Sequence, residues 1–144
     1  MDKPIFNEIG ELRPGLLADI NRLLTQLSST HHAVTQEELL HILSSPNTHL
    51  YVLQHGERVI GMITLCTYLC LTGRKAWIED VLVDEPFRGQ GWGKMMVQNV
   101  IDIVRKQGDT ALMLTSRPAR IAANRLYRSM RFEQRETNVY KMAL

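Results

Sequence analysis

One stretch narrows the fold of this chain more than any other: Arg88-Gly89-Gln90-Gly91-Trp92-Gly93-Lys94, set between two apolar segments of different period. Before it, Trp77-Ile78-Glu79-Asp80-Val81-Leu82-Val83 reads as a buried strand with two acids at its centre. After it, Met96, Val97, Val100, Ile101 and Val104 recur at helical spacing from Trp92 to about Lys106, with Gln98, Asp102, Arg105 and Lys106 on the other side. A strand, a glycine turn and a helix start form an anion cradle. Glycine lets the backbone approach closely, and free N–H groups at the positive helix end point at the bound charge. A phosphate-bearing ligand suits such a place.

The offsets exclude two common phosphate loops. The dinucleotide fingerprint needs a third glycine where this chain has Lys94, and an acid about twenty residues further on. In the P-loop pattern Gly89 and Gly93 stand too close together, and Met95 replaces the hydroxyl residue that would hold magnesium.

At 144 residues the chain suits a single domain, 1–144, with a substantial core. Its 44% hydrophobic and 22% charged content is that of an ordinary globular protein. The longest apolar run, 59–71, is too short and too polar to span a membrane. Met1-Asp2-Lys3-Pro4 lacks the basic and apolar regions of a secretion signal, so the expectation is cytoplasmic, with no membrane partner. Cys66 and Cys70 share a strand face but are too far apart for an easy bridge, and two cysteines are no metal site. No metal is expected. The net charge of +2 hides an asymmetry: four Lys/Arg against seven Asp/Glu in residues 1–60, thirteen against eight thereafter. Arginines crowd 117–135, yet aromatics for base stacking are few and a phosphorylated cofactor suits the same charges. No nucleic acid is expected.

The periodicities place a strand at Ile5–Ile9, helices from Leu12 to about Leu27 and from Thr35 to about Leu43, and strands Leu50–Gln54, Arg58–Leu65 and Lys75–Val83. Thr35 and Glu38 form a capping-box signature. Beyond the glycine loop and its helix come a strand 110–115, a helix 118–130 with Pro118 in its first turn, and closing strands Phe132–Arg135 and Asn138–Met142. The order β-α-α-β-β-β-α-β-α-β-β predicts an α/β protein on one mixed sheet.

Arg88, Gly91 and Gly93 satisfy R-x-x-G-x-G, and Ala123-Asn124-Arg125-Leu126-Tyr127 leads into Phe132 as in A-x-x-L-Y-x-x-x-G-F. Over about residues 50–142 the chain resembles the GNAT superfamily of acetyl-CoA-dependent N-acetyltransferases. The resemblance implies the GNAT fold, a mostly antiparallel mixed sheet split by a V-shaped acetyl-CoA cleft between strand 78–83 and strand 110–115. Backbone groups of Val81, Leu82 and Val83 would bond the acetyl carbonyl and pantetheine amides. Those of Gly89, Gln90, Gly91, Trp92, Gly93 and Lys94 would hold the pyrophosphate. Arg88 either joins them or pairs with Asp84 or Glu85, and Lys94 either joins them or is a solvated helix residue. Many members carry an asparagine seven residues before the tyrosine. Here that position is Arg120, with Asn124 one turn later, and both are candidate cofactor contacts. Arg131 replaces the family glycine, which implies a changed or strained helix–strand junction.

For the chemistry, the resemblance makes Tyr127 the acid that protonates the departing CoA thiolate. A phenol (pKa about 10) is protonated where a thiol (about 8.5) leaves. The alternative is a core tyrosine. Glu79 is the candidate general base, and strand alternation puts Asp80 on the opposite face unless a bulge intervenes. Either acid is otherwise structural. Glu79-Asp80-Val81 matches the trio of glucosamine-6-phosphate N-acetyltransferases but is too short to assign an aminosugar. Thr115 stands where ribosomal-protein acetyltransferases of the superfamily carry a glutamate. His31 and His32 fall where members border the acceptor. The expected activity is acetyl transfer to a primary amine of a small molecule. The alternatives are a protein lysine or N-terminus as acceptor, and a non-catalytic acyl-CoA sensor. A homodimer paired through Asn138–Met142 is one option for assembly.

Overall fold

The structure, a computed structural model, describes residues 3–28, 32–108 and 111–144. Its elements run β1 (Ile5–Glu8), α1 (Leu16–Leu27), α2 (Gln36–Ser44), β2 (Thr48–His55), β3 (Arg58–Cys70), β4 (Gly73–Val83), a 3₁₀ turn (Glu85–Phe87), α3 (Trp92–Lys106), β5 (Ala111–Met113) and α4 (Ile121–Ser129). They fall into two compact units, Met1–Leu114 and Thr115–Leu144. No helix among the described residues is long and apolar enough to cross a membrane.

In the first unit the sheet order is β1-β2-β3-β4-β5. The first four strands pair antiparallel and β5 lies parallel to β4. The mixed, mostly antiparallel sheet is the one expected. The amphipathic α1 and α2 bury one face: Leu16, Ile20, Leu23, Leu24 and Leu39 cluster with Leu50, Val52, Val59, Met62 and Leu82. The opposite face takes α3 through Met96, Val97, Val100 and Val104, all buried. There Gly61 sets the spacing, since a Cβ on it would lie 3.1 Å from Met96 Sδ and 3.2 Å from Leu53 Cβ. The helix α1 starts four residues later than its pattern suggests, because Gly15 takes a left-handed conformation (φ 83°) as its N-cap. The helix α2 carries the full capping box of Thr35 and Glu38.

The pairing of β4 changes along its length. Only Lys75–Trp77 face Ala111–Met113 of β5. Beyond Trp77, among the described residues, β4 pairs with no strand but β3. On the β3 side the register jumps: Met62 faces Leu82 while Thr64 faces Glu79, so Asp80 and Val81 together oppose Ile63. That is a β-bulge, with Asp80 at φ 53°.

The second unit departs from expectation at both ends. Pro118 lies in a turn closed by Arg120 N–H to the Arg117 carbonyl (3.0 Å), and α4 begins only at Ile121. Proline is suited to the second position of such a turn. The two closing strands do not form: residues 132–144 carry no strand, although the order matches through α4. A strand needs a paired edge to satisfy its backbone groups, and this charged, exposed segment pairs with no strand among the described residues.

Candidate functional site

The glycine loop starts from a buried acid. Asp84, 1% exposed, follows β4 directly and receives Arg22 Nη1, Arg58 Nη2 (3.1 Å) and Gln26 Nε2 (2.8 Å). Burial alone would raise its pKa, but the bonds from Gln26, Arg22 and Arg58 outweigh that and hold the carboxyl below its ordinary value. The Gln26 Oε1 accepts from the Glu85 N–H and from Arg88 Nη2, both at 3.0 Å. Arg88 Nε donates to the Val83 carbonyl at 2.8 Å. The Arg88 guanidinium therefore braces the loop from within rather than pairing with Asp84 or Glu85.

From there the chain passes through Gly89 (φ 76°) and Gly91 (φ 87°), both left-handed. A Cβ on either would meet nothing within 4 Å, so backbone conformation rather than crowding calls for glycine, and the space above the loop is open. Gly91 is the N-cap of α3 and no side chain caps the helix. The N–H groups of its first turn, which ordinary caps would occupy, are left to an external acceptor. A phosphate fits that donor set. Gln90 accepts from Trp92 Nε1 at 3.3 Å, and Lys94 is exposed on the first turn.

The bulge answers the question of the two acids. Because Glu79 faces Thr64 and Leu82 faces Met62, Glu79 and Leu82 share the face covered by α1 and α2 despite their odd separation. Simple alternation fails at Asp80. Both carboxylates are exposed. Crowding by neighbouring protein, then the adjacent Asp80 charge, raises the Glu79 pKa. Along the same face Cys66 faces Trp77, whose indole N–H donates to the Tyr68 hydroxyl at 3.1 Å. Both cysteines are free thiols, and burial raises that of Cys66 despite its Thr48 bond.

In the second unit, α4 carries Tyr127. Arg131 sits at φ 73° just beyond the helix. The Phe132 N–H reaches the Tyr127 carbonyl (3.0 Å) and the Arg131 N–H the Arg128 carbonyl (3.0 Å). These two bonds define a Schellman cap, whose left-handed position normally takes glycine. The cap brings the Phe132 ring edge-on to Tyr127, centroids 5.9 Å apart. Arginine thus keeps the backbone turn at the cost of strain. Tyr127 is half-buried. Burial raises its pKa and the Arg120 charge partly offsets it. Asn124 Nδ2 donates to the Arg117 carbonyl at 2.9 Å and so holds the turn that precedes α4. Arg120 is the helix N-cap residue.

His31 lies outside the described residues, and His32 is exposed. Among the described residues no group of three or more His, Cys, Asp or Glu is placed to hold a metal. Sequence reading missed Arg22, Gln26 and Arg58. Asp19, Arg22 and Gln26 fall at i, i+3 and i+7 on α1, a polar stripe that a solvated helix face would show equally.

The first unit thus carries a bulged strand leading into an uncapped glycine loop, and the second a capped helix bearing Tyr127. The family model of the Acetyltransferase (GNAT) family matches residues 17–132. The chain belongs to that family. It is 32% identical over 94 residues to N-acetyltransferase 8B of Rattus norvegicus, covering 64% of this chain and 42% of that protein. The chain thus spans less than half the length of that relative. Its fold resembles an aminoglycoside acetyltransferase from an uncultured soil metagenomic sample in complex with trehalose, with TM-score 0.84 and 18% identity over 98% of this chain and 97% of the other. It also resembles AAC(6')-Iy in complex with a CoA-S-monomethyl-acetylneamine bisubstrate analog, with TM-score 0.77 and 16% identity over 99% of each.

Proposed function

We propose that the chain is an N-acetyltransferase that moves an acetyl group from acetyl-CoA to a primary amine of a small molecule, by direct attack with both substrates bound. The observation that carries this reading is the half-paired β4 edge running through an acid-bearing bulge into an uncapped helix start. Acetyl-CoA supplies an activated acetyl thioester. The N–H groups of Gly89 to Lys94 hold its pyrophosphate, Val81, Leu82 and Val83 present backbone groups to its acyl arm, and Arg120 and Asn124 add polar contacts. Glu79 takes a proton from the incoming ammonium, whose charge Asp80 also attracts. The amine nitrogen bonds to the acetyl carbon as the carbon–sulfur bond breaks, Tyr127 gives its proton to sulfur, and the second proton that nitrogen sheds as the amide forms restores the phenol by way of solvent. A raised phenol pKa keeps that proton in place at neutral pH. Cys66, with its raised pKa, is a poor nucleophile, which agrees with a route without an acyl-enzyme.

Two structural neighbours are named for aminoglycosides or an acetylneamine analog, which supports a small amine as acceptor. His31 and His32 are assigned to the acceptor side. We read residues 1–144 as one catalytic domain in the cytoplasm. Two copies would pair through Asn138–Met142, where Val139, Tyr140 and Met142 are exposed.

A thiol-release assay with acetyl-CoA over amines, aminosugars, polyamines and lysine peptides tests the reading. Release with a small amine is the expected result. Release with peptides alone would move the acceptor to proteins, and absence of both acetyl-CoA binding and release would overturn the proposal.

A further inference from the structure

We propose that Gln26, on α1, is a positioning residue for acetyl-CoA binding, acting through the glycine loop rather than on the cofactor. The inference rests on the reading of that loop as the pyrophosphate site. One amide makes three bonds to consecutive parts of the same segment. It donates to Asp84 Oδ1 at 2.8 Å and accepts at 3.0 Å from both the Glu85 N–H and Arg88 Nη2. Arg88 in turn holds the Val83 carbonyl at 2.8 Å. The entrance of the loop, Val83 to Arg88, is therefore tied to α1 by Gln26 at three points, while Arg22 of the same helix reaches Asp84 alone. Arg22 and Asp19 anchor that helix to the start of β3, through the Val59 carbonyl (2.8 Å) and N–H (3.0 Å).

Beyond Arg88 the loop has little to hold it. Gly89 and Gly91 bring no side chains, a Cβ on either would touch nothing within 4 Å, and α3 has no side-chain cap. Glycine-rich backbone is the costliest to order. The direction in which the loop N–H groups point is set by its two ends: α3 on one side and the Gln26-braced turn on the other. The Gln26 oxygen accepts from two partners of the loop entrance and its Nε2 donates to Asp84, so the amide is turned toward the protein. Its effect on binding should appear only for a donor that carries the pyrophosphate.

The experiment compares acetyl-CoA with S-acetyl-pantetheine, which has the same thioester and no pyrophosphate, as donors for the wild-type chain, Gln26→Ala and Gln26→Glu. Loss of three hydrogen bonds in Gln26→Ala, two of them to charged groups, predicts a KM for acetyl-CoA raised roughly tenfold. The expected kcat at saturation, the amine KM and kcat/KM for S-acetyl-pantetheine are unchanged. Gln26→Glu keeps both accepting bonds but sets a carboxylate against that of Asp84, so its KM for acetyl-CoA rises at least as far as that of Gln26→Ala at neutral pH. Alanine favours helix at this half-exposed position, and a thermal melt checks folding. Equal losses with both donors, or a KM for acetyl-CoA unchanged in Gln26→Ala, would overturn the role of Gln26. Failure of the wild-type chain to bind acetyl-CoA would instead overturn the reading of the loop.

Discussion

The two units of the chain are held in order by different means. Residues up to Leu114 carry the whole buried apolar set, on both faces of the sheet. In Thr115–Leu144 no residue is fully buried. The short α4 is instead fixed by local devices: the Asn124 bond to Arg117 before it, and the Schellman cap with its Tyr127–Phe132 contact behind it. The lesson is what the proposed mechanism asks of each. The first unit presents backbone, and a rigid core defines where backbone groups point. The second presents a side chain, and a capped helix end suffices to orient one ring.

That contrast is most sharply tested at Asp84, which belongs to the core-supported half. Asp84→Ala leaves Arg22, Arg58 and Gln26 without their common acceptor and should cost about 3 kcal/mol in urea unfolding. A change below about 1 kcal/mol would show that the loop is locally held after all. The sign of the pH effect is determined. The folded carboxyl titrates below its ordinary value of 3.8. Its stabilisation is complete above that value and is lost as pH falls through the folded pKa. Asp84→Asn should flatten this acid limb.

Tyr127→Phe keeps the cap and the ring contact and removes only the proton. We expect kcat to fall roughly a hundredfold with the melting temperature unchanged. Full turnover would return Tyr127 to a packing role. Glu79→Gln should lower kcat/KM roughly tenfold at neutral pH. In the wild-type chain the Glu79 carboxylate accumulates only as pH rises through a pKa lying above the ordinary 4.5, so if Glu79 is the base, activity should decline on the acid side of that point. Persistence of the same limb in Glu79→Gln would assign it to another group.

The smallest effect is expected at Arg131. A side chain in the left-handed region costs roughly 1–2 kcal/mol, and glycine gives back about 0.5–1 kcal/mol through its freer unfolded chain. Arg131→Gly should therefore stabilise by about 0.5 kcal/mol, read as a small rise in unfolding midpoint with activity retained. A loss of stability would mean that the arginine side chain, and not the backbone turn, matters at this junction.

Periodicity made the architecture legible: α3, the hairpins and the mixed sheet follow from apolar spacing, and Thr35 with Glu38 marked the start of α2. The glycines at 89 and 91 were readable because positive φ leaves few alternatives. Three things were not readable. The bulge at Asp80 depends on the register with β3, which spacing within one strand does not contain. The bracing of the loop joins residues about sixty positions apart in sequence, Gln26 with Asp84, Glu85 and Arg88. The missing closing strands depend on pairing with a neighbour, and alternating residues such as Tyr140 and Met142 supply a strand's pattern without supplying that neighbour.

The bulge also has a consequence for the length of the chain. Asp80 is an inserted beat between Glu79 and Leu82, which already share a face. Deleting it leaves Leu82 in the core and returns β4 to regular alternation, with Val81 alone opposite Ile63. The interior would not feel the missing residue, while the kinked edge proposed to meet the donor would straighten. A one-residue deletion at this point would separate what the fold needs from what the chemistry needs.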